Sequence, residues 1–238
     1  MSLRFTVLGS GSAGNASLVE VAGLVVLLDI GLGPRQLASR FRAVGRSWAD
    51  VRAALLTHTH SDHWNDRTLA YLRRLRIPLH CHADHRDSLH RYSTIFPLLL
   101  KDGLIHEYDV ETDIDLGSGL RCRPLALRHD SGATFGFRFE GAVQADGSRP
   151  ALGYAADLGT WTQDLAQALA EVDLLAIEFN HDVELEYRSG RSARLIARVL
   201  GDEGHLSNTQ GAALLREVLQ LSTPGRLRHV IQLHLSRE

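Results

Sequence analysis

The stretch His58-Thr59-His60-Ser61-Asp62-His63 decides the fold. Four side chains of metal-binding type fall within these six residues. An apolar strand-like run, Arg52 to Leu56, precedes them, and a helix-like run, Asp66 to Leu75, follows. In an extended or turning loop, alternate side chains project to the same side. His58 and His60 can therefore converge on one ion while Asp62 and His63 turn toward a neighbouring one. Imidazole and carboxylate donors without cysteine favour zinc, manganese or iron and leave positions open for water. The pattern differs from HExxH, which presents two histidines of one helix face to a single zinc.

A two-metal site needs more ligands than one loop supplies. Three further candidates each end an apolar run. His129 follows Leu120 to Arg128, Asp157 follows Gly153-Tyr154-Ala155-Ala156, and His234 follows Val230-Ile231-Gln232-Leu233. Each alone reads as ordinary loop onset; together they form a set.

Working outward, Phe5 to Leu8, Ser17 to Val21 and Leu24 to Asp29 are short β-type runs separated by glycine-containing turns, an opening antiparallel meander. Gln36 to Val44 has helical spacing, Leu79 to His82 reads as a strand, and Asp84 to Tyr92 as a short helix. In the second half, strands are expected at Leu120 to Leu127, Thr134 to Phe139, Ala151 to Ala155, Leu174 to Glu178 and His229 to Leu233. Helices are expected at Trp161 to Ala170, Ser192 to Leu200 and Asn208 to Leu219. Two β-rich halves, each followed by helices, predict an α/β protein with two sheets packed face to face and helices outside. That is a four-layer αβ/βα sandwich, expected as one domain over residues 1–238.

Composition narrows the function. At 44% hydrophobic and 23% charged residues, the chain has ordinary globular usage and no run long enough to span a bilayer. The N-terminus runs straight into a strand without a secretory pattern, so a cytoplasmic location is expected. Cys81 and Cys122 are too far apart for a CxxC site and read as core thiols. A net charge of −2 excludes a generally basic nucleic-acid coat and leaves room for a local patch. Lys101 is the sole lysine among 26 basic residues; the rest are arginine, whose planar fork suits phosphate.

The HxHxDH loop followed by an isolated His, an Asp and a final His, each after a strand, resembles the metallo-β-lactamase superfamily. The resemblance implies that His58, His60 and His129 hold a first metal, that Asp62, His63 and His234 hold a second, and that Asp157 bridges them. It implies two divalent ions, zinc first, with manganese or iron as alternatives. Leu8-Gly9-Ser10-Gly11-Ser12-Ala13-Gly14-Asn15, Glu178-Phe179-Asn180-His181-Asp182, Gly204-His205-Leu206-Ser207-Asn208 and His234-Leu235-Ser236 are similar to the YycJ (WalJ) branch. That branch is associated with nuclease activity, including 5′ to 3′ exonuclease action on DNA. Its members continue past the last histidine into an asparagine-containing tail, whereas this sequence reads on only to Glu238.

Other residues complete the candidate site. Asp29 ends an apolar strand, where a carboxylate either orients a ligand histidine from behind or forms a turn ahead of Gly31. Ser10, Ser12 and Asn15 lie in a glycine-rich loop that either offers backbone N–H groups to phosphate or is simply a tight loop; no Lys-Ser/Thr pair follows, so it is not a Walker A loop. Glu178 and His205 resemble the pair that serves proton transfer in ribonuclease Z, and the alternative for His205 is a helix-capping neighbour of Ser207. Asp62, His205 and Glu178 are thus the candidate catalytic residues. The leading function is phosphodiester hydrolysis on DNA or RNA; the alternatives are a thioester or lactone hydrolase of the glyoxalase II type, and a non-catalytic metal-dependent module.

Overall fold

The computed structural model describes residues 3–145 and 147–236. They fall into two compact units that meet in sequence between Arg121 and Cys122.

The first unit opens with the expected meander. β1 (Leu3–Gly9), β2 (Ala16–Val21) and β3 (Leu24–Leu28) pair antiparallel in order. β2 and β3 are buried along their whole length; β3 therefore reads as an unbroken apolar run, whereas β2 buries Ser17 and Glu20 among its apolar residues. The chain then changes to parallel pairing through helical crossovers. α1 (Pro34–Ala43) leads to β4 (Val51–Leu55), and α2 (Asp66–Leu75) leads to β5 (Leu79–His82). α3 (His85–Tyr92) and α4 (Phe96–Lys101) lead to β6 (Ile105–Tyr108), giving the sheet order β1-β2-β3-β4-β5-β6. Leu37 and Phe41 of α1 and Leu69 and Leu72 of α2 are fully buried in this unit's core. A short β7 (Ile114–Asp115) precedes the boundary.

The second unit carries β8 (Arg121–Leu127), β9 (Thr134–Glu140), β10 (Ala151–Ala155), α5 (Gln163–Leu169), β11 (Leu174–Glu178), α6 (Val183–Arg188), α7 (Ala193–Leu200), α8 (Asn208–Leu221) and β12 (His229–Leu233). β9 pairs antiparallel with β10, and β10, β11 and β12 run parallel. Leu165, Leu169, Leu175, Ile177, Leu214 and Val218 form its core. The α/β class and the two sheets expected from the sequence are both present. Four elements are additions to the sequence reading: α4, β6, β7 and α6. No helix among the described residues is long and apolar enough to cross a membrane.

In both units the parallel strands end where the candidate site residues begin, as in open α/β sheets generally. Asp29 follows β3, the histidine loop follows β4, Asp157 follows β10, Glu178 ends β11 and His234 follows β12. In the first unit three loops are stitched together by main-chain bonds. Asn15 N donates to Asp62 O at 2.7 Å, Gly31 N to Asn15 O at 2.9 Å, and Ile30 N to His63 O at 2.9 Å. This contact leaves no room at position 31, where a Cβ would stand 1.8 Å from the Asp62 carbonyl oxygen. Gly31→Ala should therefore push the histidine loop away and cost upwards of about 2 kcal/mol, as overpacking against rigid backbone does; denaturant unfolding of the variant checks this.

Candidate metal centre

The first unit presents His58, His60, Asp62 and His63 on the turn between β4 and α2. His63 N donates to His60 O at 2.9 Å, which closes the turn, and Asn65 caps α2 by accepting from Arg67 N and Thr68 N. The His58 ring lies 3.9 Å from that of His63 and 5.0 Å from that of His60, centroid to centroid. His63 Nε2 is 3.8 Å from Asp62 Oδ2.

Asp29 holds this loop. Its carboxylate is 1% exposed and accepts from Thr57 N at 2.9 Å, from Thr57 Oγ1 at 3.0 Å and from His63 Nδ1 at 2.8 Å. Burial pushes its pKa up, and His63 and Thr57 oppose the rise. With Nδ1 engaged, Nε2 is the atom the His63 ring would offer to an ion. Thr57 is fully buried and also lies 3.0 Å from His58 Nδ1. The sequence reading passed over Thr57; the signal was its position directly before the first histidine.

Ser10 and Ser12 are exposed on the turn after β1, whereas Asn15 is turned inward. Its Oδ1 accepts from Gly11 N at 2.7 Å, and its Nδ2 lies 3.1 Å from Asp62 Oδ2 and 2.8 Å from His63 Nε2. An amide donor aimed at two ligand atoms stands where a cation would satisfy both. The donor set thus fits a divalent ion.

The second unit presents His129, Asp157, Glu178, His205 and His234. One ligand atom from each of Asp157, Glu178, His205 and His234 lies within 4.8 Å of the other three. His129 Nδ1 lies 2.9 Å from Gly204 O, and His234 Nδ1 lies 3.0 Å from Asn180 Nδ2. Both rings are therefore oriented from the Nδ1 side. Asn180, which the sequence reading quoted within a motif without a role, also donates to His234 O at 2.7 Å. Burial holds the His129 pKa below its ordinary value, against the pull of Asp157. Asp29, Asp157 and His234 all adopt positive φ, at 59°, 61° and 52°. This costly conformation for non-glycine residues gathers at functional sites.

Glu178 and His205 form a dyad. The Glu178 side chain is fully buried; its Oε2 accepts from Leu158 N at 3.0 Å and Leu206 N at 3.2 Å, and its Oε1 lies 2.8 Å from His205 Nδ1. Burial draws the His205 pKa down, but Glu178 and Asp157 outweigh it and the net shift is upward.

Arg188, Arg191, Arg194 and Arg198 lie in the segment ahead of His205, and most of them are committed to carboxylates. Arg188 pairs with Glu184, Arg191 grips buried Glu186 through both carboxylate oxygens, and Arg198 binds Asp130. Glu184 and Arg188 pair at i, i+4 spacing on α6, whereas Arg191 reaches back to Glu186 from beyond the end of that helix. Of the four, only Arg194 meets no acceptor among the described residues.

Asp29→Asn keeps the shape but removes the charge that orients His63. It should weaken metal binding by about 10- to 100-fold, the usual cost of losing such a partner; titration with a competing chelator measures it.

Comparison with known proteins places these residues in context. A family model described as a β-lactamase superfamily domain matches residues 25–224. The exodeoxyribonuclease WalJ of Streptococcus pneumoniae is 29% identical over 242 aligned positions, covering 100% of this chain and 83% of that protein. The exodeoxyribonuclease YycJ of Bacillus anthracis is 28% identical over 240 positions, covering 99% and 83%. Among solved structures, the metallo-β-lactamase fold protein YhfI from Bacillus subtilis superposes with a TM-score of 0.70 at 17% identity, covering 100% of this chain and 88% of that one. The chain belongs to the metallo-β-lactamase superfamily of metal-dependent hydrolases.

Proposed function

We propose that the two units act as one domain and that the protein is a dinuclear metal-dependent phosphodiesterase, a nuclease acting on the ends of DNA, 5′ to 3′, or on RNA. The proposed ligands are His58, His60 and His129 for one ion, Asp62, His63 and His234 for the other, with Asp157 between them. Nitrogen and oxygen donors without thiolate support zinc, with manganese or iron as alternatives. When bound, two divalent ions bring the pKa of coordinated water toward about 7 and stabilise negative charge on a phosphoryl group. Cys81 and Cys122, both buried and outside any disulfide, suit a reducing cytoplasm.

The observation that carries the nuclease reading is the Glu178 and His205 dyad. Cleaving a phosphodiester expels a sugar alkoxide, a poor leaving group that needs a proton, whereas a thiolate, with a thiol pKa of about 8.5, leaves without one. A histidine gripped at Nδ1 by a carboxylate, itself pinned by two backbone N–H groups, has its pKa drawn upward, which favours the proton-bearing form, and keeps Nε2 for that transfer. The names of the full-length relatives, both exodeoxyribonucleases, support the substrate class.

His205 also belongs to a group able to hold a metal, so its variant must report both roles. His205→Ala should leave metal content intact and lower turnover by about 10² to 10⁴-fold. The loss should shrink on substrates with an acidic leaving group such as p-nitrophenolate; a lost ion, or equal losses on both substrates, removes the proton-donor role. Metal-loaded protein given end-labelled DNA, end-labelled RNA and a thioester panel should favour nucleic-acid ends. Robust thioester turnover with no cleavage of DNA or RNA under several metals would overturn the nuclease reading.

A further inference from the structure

With three of the four arginines ahead of His205 committed to carboxylates, a nuclease needs its phosphate contacts elsewhere. The first unit contains a groove of about 820 Å³ between the N-terminal ends of α1 and α2. This volume is within the roughly 300 to 1,000 Å³ of small-molecule sites. Arg35 lines it from α1 and Arg67 from α2. Both side chains are exposed, and neither guanidinium meets an acceptor among the described residues. The nearby carboxylate, Asp66, is occupied by the hydroxyls of Ser93 and Thr94, and Asn65 is occupied in capping α2. The backbone N–H groups of Arg35 and Gln36, in the first turn of α1, also lack partners among the described residues.

The groove is tied to the metal loop. Asn65 lies two residues beyond His63, and Thr68 Oγ1 of α2 donates to Leu32 O, just ahead of α1, at 2.7 Å. Its walls therefore keep their spacing relative to the histidine turn.

We infer that this groove is a subsite for the phosphodiester backbone of a nucleic-acid strand, with Arg35 and Arg67 each contacting a phosphate. The inference rests on the nuclease reading above. Two planar guanidiniums and free amide donors suit tetrahedral phosphate oxygens, which accept in several directions. Such contacts carry no base preference and hold the strand in register for end-directed cleavage.

The test is fluorescence anisotropy of a labelled oligothymidylate across a salt series, on metal-loaded protein. In the R35Q/R67Q variant, Kd should rise at least about tenfold, and the slope of log affinity against log salt should be shallower by about 1.4, at about 0.7 per single-strand contact. Arg40→Gln removes the same charge from the last turn of α1, outside the groove, and should keep the wild-type slope. R35K/R67K keeps the charge and should restore most of the binding, which separates lost contacts from lost folding. A double glutamine variant with wild-type Kd and slope, or an Arg40→Gln shift as large as that of the double variant, overturns the subsite. If the wild type cleaves nucleic acid and the groove variant binds unchanged, the subsite alone fails. If the wild type binds no nucleic acid, the nuclease reading fails and the subsite falls with it.

Discussion

A buried carboxylate is tolerable only when its oxygens are hydrogen-bonded, and that requirement at Asp29 organises the first unit. The side chain draws in Thr57 and His63 from the far end of β4, across 28 and 34 residues of sequence. Satisfying Asp29 fixes the start of the histidine loop, and the Asn15 and Ile30 bonds fix its end. The candidate ligands are thereby held by bonds that involve no ion, an arrangement that reduces the ordering cost of binding one.

The second unit repeats the device. Glu178 stands at the end of β11, one of three parallel strands, and its carboxylate is pinned by two backbone N–H groups before it reaches His205 Nδ1 at 2.8 Å. The distance from Asp29 to His63 Nδ1 is the same. In both units a carboxylate at the end of a parallel strand sets the orientation of an imidazole. The outcome differs by position. His63 lies in a loop dense with metal-type donors, whereas His205 lies just ahead of α8, beside Asp157 and His234, where orientation can serve proton transfer. Gly204 matters here because its carbonyl oxygen engages His129 Nδ1, while a Cβ at that position would meet the Arg198 carbonyl oxygen at 2.2 Å.

Charge is distributed with the same economy. The chain carries 28 acidic residues for its 26 basic ones, and the carboxylates of α6 and Asp130 take up Arg188, Arg191 and Arg198. Uncommitted guanidiniums are then informative where two of them border one groove, as Arg35 and Arg67 do.

Much of this was legible in the sequence. Apolar runs such as Leu24 to Leu28 and Leu174 to Ile177 announce strands because burial on both faces demands continuous apolar residues, and the histidine loop announces metal because no packing need explains its donors. The elements that escaped carry little burial signal. Only Glu186 of α6 is buried, and α4 is an unbroken Pro-Leu-Leu-Leu run with no helical period. Residue types and their order along the chain thus determined the α/β class, the metal-type donors and the Glu178 and His205 candidates. The partner of each donor was decided by tertiary structure alone: Asp29 with His63, Asn15 with Asp62, and Arg191 with Glu186 instead of a phosphate. Hydrogen bonds depend on distances of a few ångström between side chains, and only the folded backbone sets those distances between residues far apart in sequence.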